Sequence, residues 1–148
     1  MDVRIVRANI EHLKDIALIE ELSFPIPWSI DSIKNEFEAN TRAVYLAAVT
    51  EHGKAVGYAG MWDIVGEGHI TNIAVHPDCR NKGIASKLLD EMIACAKKRN
   101  IKSLTLEVRK TNIAPISLYK KFGFVEYGIR KGYYEDNGED AIIMWKYL

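Results

Sequence analysis

The chain has 148 residues, 48% hydrophobic and 27% charged, the balance of an ordinary globular protein able to bury a core unaided. Lys plus Arg equals Asp plus Glu at 20 each, so no global field draws the protein toward nucleic acid or an anionic membrane, and any basic site has to be local. Met1-Asp2-Val3-Arg4 has no apolar run behind its charges, and no stretch approaches the roughly 20 apolar residues of a membrane span. Cys79 and Cys95 lie far apart without CxxC or zinc-like spacing. These features predict a cytoplasmic protein with free thiols, no metal, and no nucleic-acid or membrane partner, and give no sign of a stable oligomer beyond a monomer or weak dimer. With no repeat, low-complexity tract or linker, residues 1–148 read as one domain.

Val3 to Ala8 alternates apolar and charged residues and predicts a short strand. Asn9 offers an N-cap to a helix whose apolar residues Ile10, Leu13, Ile16, Ala17 and Leu22 recur at helical spacing, and Pro25 requires that helix to stop. Phe24-Pro25-Ile26-Pro27-Trp28 follows as a stiff apolar loop, and Ser29 caps a second helix from Ile30 to about Ala39. Ala43 to Thr50 and Ala55 to Ile64 read as strands joined at His52-Gly53. Gly66 and Gly68 bracket the turn into a further strand, His69 to Val75. Gly83 to Asn100 places Ile84, Leu88, Leu89, Met92, Ile93 and Ala96 on one helical face, with Lys97-Lys98-Arg99 at the end where cations suit the dipole. Ser103 to Val108 alternates again, Pro115 suits the first turn of a short helix ended by Gly123, and Val125 to Tyr133 and Ala141 to Tyr147 close the chain as strands. The order predicts a mixed α+β sandwich whose one parallel pairing comes from the strand-helix-strand unit at 69–108.

The stretch from Ile73 to Ser86 runs strand, tight loop, helix, with Arg80 and Lys82 just before Gly83 and with Ala85 in the first helical turn. Small residues at that point let an anion approach free N–H groups at the positive end of the helix, and a pyrophosphate is the natural occupant. The spacing is neither GxxxxGK[ST] nor GxGxxG, which excludes nucleoside-triphosphate and dinucleotide loops. An ordinary strand-helix loop with a packing glycine is the alternative reading of these residues alone.

Arg80-x-x-Gly83-x-Ala85 resembles the phosphate loop of the GNAT acetyltransferase superfamily. Asn112 to Phe124, with Leu118-Tyr119 and Gly123-Phe124 at the family spacing and Pro115 in the usual alanine place, resembles that superfamily's second motif. Phe24-Pro25-x-Pro27-Trp28-Ser29, Tyr133-Tyr134 and Gly138-Glu139-Asp140-Ala141 are similar to the RimI-type protein N-terminal acetyltransferases, and Gly68-His69-Ile70-Thr71 to their archaeal and eukaryotic relatives. The resemblance spans essentially the whole chain. It implies an α/β/α sandwich, the GNAT fold, with a mixed, mostly antiparallel seven-stranded sheet and about four helices.

It also implies acetyl-CoA as acetyl donor, without a metal, and the N-terminal amine of a protein or peptide as acceptor, one from a ribosomal protein with a small first residue. By this analogy the backbones of Ile73, Ala74 and Val75 line the pantetheine and the thioester carbonyl. Arg80, Asn81, Lys82, Gly83, Ile84, Ala85 and Ser86 surround the pyrophosphate. Asn112 bonds the pantetheine arm, an N-capping asparagine being the competing role. Glu107 is the implied general base acting through water, against a solvent-facing strand glutamate, and Tyr119 the proton donor to the leaving thiolate, against a buried tyrosine satisfied by backbone. Phe24, Pro25, Ile26, Pro27, Tyr133 and Tyr134 flank the acceptor entrance. A lysine or small-molecule amine as acceptor, and a sensor that binds acyl-CoA without turnover, remain the alternatives. His69 and His76 read as structural.

Overall fold

The computed structural model describes residues 1–148. The first strand, β1 (Val3–Arg7), leads through Asn9, whose side chain accepts the Glu11 N–H at 2.8 Å while its own N–H donates to His12 Nδ1, into a 3-10 turn at Ile10–His12. That capped turn feeds α1 (Leu13–Ser23), and Ser29 Oγ, accepting from Ser32 N–H, starts α2 (Ile30–Ala39). There follow β2 (Ala43–Thr50), β3 (Ala55–Ile64), β4 (Glu67–Val75), a 3-10 turn at Pro77–Cys79, α3 (Ile84–Lys98), β5 (Ser103–Arg109), α4 (Ile113–Lys121), β6 (Val125–Arg130) and β7 (Ala141–Tyr147). No helix is long and apolar enough to cross a membrane.

The seven strands form one sheet in the order β1-β2-β3-β4-β5-β7-β6, antiparallel throughout except between β4 and β5. Helix α3 buries all six of the apolar residues expected on its inner face, and the larger ones contribute about 1.5–3 kcal/mol each by leaving water. They join Leu104, Leu106, Val108, Ile116 and Tyr119 in the main core on one side of the sheet. A smaller cluster on the opposite side packs Leu13, Ile16, Ile19 and Ile33 of α1 and α2 against Tyr45, Tyr58 and Ala74. Helices therefore cover both faces, and the α/β/α sandwich with four helices is the observed fold.

The structure corrects three expectations. The turn before β4 lies at Val65-Gly66, both with positive φ, and Gly68 is a buried strand residue paired with Leu104. A Cβ on Gly68 would lie 2.5 Å from a Leu104 methyl and 2.8 Å from Met61 Sδ, so this glycine serves close strand packing and not the turn. Strand β6 ends at Arg130 instead of Tyr133, because Gly132 turns the chain at φ +63 and donates its N–H to Asp140 Oδ1. Ile10 in the 3-10 turn and Leu22 on α1 face solvent, and the inward positions of α1 belong to Leu13, Ile16, Ile19 and the carboxylate Glu20.

Candidate active site

Strands β4 and β5 pair over only three residues, Glu67 with Ser103, Gly68 with Leu104 and His69 with Thr105. Beyond that point they part, while β5 stays paired with β7 as far as Arg109 and Ala141. At the parting, β4 carries a bulge opposite Gly60 and Met61, leaving Thr71 as the extra residue with its hydroxyl buried and unpartnered. His76 N–H donates to Val56 O of β3 at 2.8 Å, so strand alternation turns the N–H and C=O groups of Val75, and of Ile73 before it, toward the open edge. An extended ligand with amide groups can add to such an edge as a further strand.

At the end of that edge lies the loop from Arg80 to Gly83 that leads into α3. Asn81 and Gly83 both adopt left-handed φ, +62 and +76, and α3 begins at once, its first internal bond running from Lys87 N–H to Gly83 O. The N–H groups of Ile84, Ala85 and Ser86 thus have no acceptor within the helix. A Cβ at Gly83 would meet nothing within 4 Å, so the glycine answers the backbone conformation and leaves the approach open. Lys82 is exposed beside it. Arg80 has a second engagement that sequence did not suggest: its Nε donates to Val75 O at 3.0 Å and its Nη2 to Ser23 Oγ at 3.2 Å, tying this loop to the end of α1. His76 accepts Asp78 N–H at its ring nitrogen and caps the 3-10 turn, and His69 pairs with Glu67, so both histidines are structural.

On β5 the side chains of Leu104, Leu106 and Val108 enter the main core, which turns Thr105, Glu107 and Arg109 to the other face. Glu107 Oε1 lies 3.3 Å from Arg130 Nε, with its side chain one third exposed. Arg109 is mostly buried. It pairs with Asp136 at 3.0 Å and with Glu139 at 3.4 Å, and its guanidinium lies 4.0 Å from the centre of the Tyr134 ring. Glu139 also accepts the Thr111 N–H and hydroxyl, and those bonds first, then Asn137 and Arg109, hold its carboxyl down at about 2. This network fastens the β6–β7 connection over the end of β5. Tyr133 and Tyr134 meet there edge to face at 5.1 Å. Burial pushes the Tyr134 phenol up to about 12 against the opposing pull of Arg109, and Glu107 lies close enough to add to the rise.

Asn112 stands at the N-cap position of α4 but makes no capping bond with its side chain, which removes the competing role and leaves the amide exposed and free. Tyr119 is buried in the main core against Phe124, and burial, with Tyr134 nearby, raises its phenol above the ordinary value. No hydrogen bond of the structure uses its hydroxyl for packing. Phe24 and Trp28 pack partly into the smaller cluster, and Pro25, Ile26 and Pro27 form the exposed tip of their loop.

The fold agrees with the comparisons with known proteins. The model of the acetyltransferase (GNAT) family matches residues 13–124. This chain belongs to the GNAT acetyltransferase family. A Bacillus subtilis relative is 40% identical over 137 residues, covering 93% of this chain and 90% of its own length. The ribosomal protein bS18-alanine N-acetyltransferase of Escherichia coli is 39% identical over 129 residues, 85% of this chain and 84% of that protein. The crystal structure of the E. coli ribosomal-protein-S18-alanine N-acetyltransferase superposes with a TM-score of 0.89 at 33% identity, covering 99% of this chain and 94% of that one. The protein is accordingly an acetyltransferase of the family that uses acetyl-CoA.

Two clamps in this acetyltransferase escaped the sequence reading. Glu36 of α2 accepts from Tyr45 OH and Trp62 Nε1, each at 2.6 Å, and from Asn40 Nδ2 at 2.9 Å. Glu20 of α1 accepts from Tyr58 OH, from Asn72 Nδ2 at 2.6 Å and from the Trp28 N–H at 2.9 Å. Glu20 carried a signal: it falls four residues after Ile16 on the same helical stripe.

Proposed function

We propose that the protein moves the acetyl group of acetyl-CoA to the α-amine at the N-terminus of a protein, a ribosomal protein with a small first residue. The observation that carries this reading is the parting of β4 and β5, with a free backbone edge on one strand and Glu107 on the other; Glu20 ties the Phe24–Trp28 loop to β4, and Tyr134 lies against Arg109 of β5. The names of the E. coli relatives support the same acceptor.

Acetyl-CoA supplies an activated acyl thioester, and little further activation is required of the protein. The edge groups of Ile73 and Val75 align the pantetheine arm, with Ala74 between them and the amide of Asn112 alongside. The free N–H of Ile73 meets the negative charge that develops on the thioester oxygen. Arg80, Asn81, Lys82, Gly83, Ile84, Ala85 and Ser86 hold the pyrophosphate.

A peptide α-amine, with a pKa of about 7.7–8.0, is appreciably neutral near pH 7, whereas a lysine at about 10.4 is almost wholly charged. A carboxylate such as Glu107, acting through a water, is therefore a sufficient base for an N-terminus. As the C–S bond breaks, the Tyr119 hydroxyl gives its proton to the departing thiolate. Burial raises its pKa and makes it a weaker acid, so the transfer depends on placement beside the thiolate, and no packing partner holds the hydroxyl elsewhere. Phe24, Pro25, Ile26 and Pro27 on one side and Tyr133 and Tyr134 on the other guide an extended chain end to the opening.

A thiol-release assay with acetyl-CoA tests this reading against short peptides with free or blocked N-termini, with and without lysine, and against free amines. Turnover on free N-termini beginning with alanine or another small residue, lost on blocking, is the expected result. Turnover confined to lysine or small amines would remove the N-terminal reading.

A further inference from the structure

The one fully buried carboxylate of the molecule lies outside the machinery just described. Glu20 is 1% exposed, and no cation pairs with it. Burying an uncompensated carboxylate is costly, so its bonds have to be strong and complete. Oε1 accepts from Tyr58 OH of β3 and Asn72 Nδ2 of β4, and Oε2 accepts the Trp28 N–H at 2.9 Å.

The segment between α1 and α2 makes the third bond telling. Pro25 and Pro27 have no N–H to give, so few backbone bonds can hold this loop. Its first residue, Phe24, donates its N–H to the main-chain oxygen of Glu20 at 3.0 Å, and its last, Trp28, donates to the side chain of the same residue. Both ends of the loop close on Glu20. The same carboxylate grips Asn72, the residue before Ile73 on the open edge of β4.

We infer that Glu20 is a positioning residue for the acceptor: it sets the Phe24–Trp28 wall at a fixed distance from the strand on which the acyl group is presented. Three donors converge on two oxygens. A glutamine can turn its oxygen to the Trp28 N–H and its NH2 to Tyr58 and Asn72, which can both rotate to accept. A methionine of similar shape offers no strong acceptor, so the Trp28 N–H, which can only donate, loses its bond and the loop is released. The inference rests on the proposed placement of the acceptor beside this loop.

The test compares Glu20→Met, which removes both acceptor oxygens, with Tyr58→Phe, which removes one bond of the cluster while leaving both loop ties. Each variant is assayed with the amine that the wild-type enzyme acetylates. Glu20→Met should raise the acceptor KM about tenfold or more, the scale of a lost bond to a charged group, with the KM for acetyl-CoA little changed. Glu20→Gln, which can keep the Trp28 bond, should restore most of the acceptor KM. Tyr58→Phe should lower stability and leave the acceptor KM in place. Independently of turnover, the Trp28 amide should exchange with solvent much faster in Glu20→Met, while amides of β3 stay protected. An unchanged acceptor KM in folded Glu20→Met, equal KM shifts in Glu20→Met and Tyr58→Phe, or a Trp28 amide that remains protected in Glu20→Met would each overturn the inference. A wild type that acetylates only lysine or small amines would refute the N-terminal reading instead, and the same KM comparison with that amine then decides the role of Glu20.

Discussion

Glu107 of β5 and Arg130 at the end of β6 are joined by an ion pair, Oε1 to Nε at 3.3 Å, across intervening β7. The carboxylate thus points out of the sheet on the face away from α3, toward the β6–β7 connection that carries Tyr134.

Replacing Glu107 with Gln should lower kcat by about 10²- to 10⁴-fold, the usual range for loss of a general base, with acetyl-CoA affinity retained. Because the ion pair is partly exposed, stability should fall by less than about 1 kcal/mol. Steady-state kinetics, coenzyme titration and denaturation check the three parts. Retained turnover would return Glu107 to a surface role, and a pure coenzyme sensor would be indifferent to the change.

Tyr119→Phe removes a hydroxyl that no packing bond uses. The kcat should fall by about 10²-fold while stability stays within about 0.5 kcal/mol of wild type. Kinetics paired with thermal unfolding separates this from a packing role, which would reverse the pattern.

Glu139 titrates at about 2 in the folded protein against an ordinary value of 4.5, chiefly through its bonds from Thr111. A depressed folded-state pKa gives stability that is complete above 4.5 and is lost as pH falls toward 2. Thermal unfolding followed from pH 6 to pH 2, a range of about four units around this group, should show a steeper loss for wild type than for Glu139→Gln. Parallel curves would mean that the network with Thr111 and Arg109 adds nothing to acid stability.

Gly68→Ala puts a methyl against Leu104 and Met61 where β4 and β5 still touch. Flexible side chains can yield, so a loss of about 1–3 kcal/mol is expected. Denaturant unfolding measures it, and an unchanged midpoint would show that the two strands have slack there.

Much of this was legible in the chain itself, and for local reasons. The inner face of α3 follows from helical periodicity, and the left-handed turn at Gly83 from a glycine at a strand-helix junction. The burial of Leu104, Leu106 and Val108, which turns Glu107 the other way, follows from strand alternation. What sequence did not show depends on residues far apart along the chain. Glu20 meets Asn72 across 52 positions and Tyr58 across 38, and nothing beside Glu20 announces either partner. Arg109 reads as a charged residue ending a strand, yet its partners Asp136 and Glu139 arrive only after β6 has been laid down. The role of Gly68 was missed because a glycine near a turn is usually spent on the turn, and only the paired register reveals Leu104 above it.

The central claim is that the acetyl group goes to an N-terminal amine. The most direct measurement uses one peptide carrying both a free N-terminal alanine and an internal lysine, incubated with the enzyme and acetyl-CoA. Fragmentation mass spectrometry of the product then locates the acetyl group. Acetylation of the alanine α-amine with the lysine untouched is the expected result, and acetylation of the lysine with the α-amine left free would contradict N-terminal transfer.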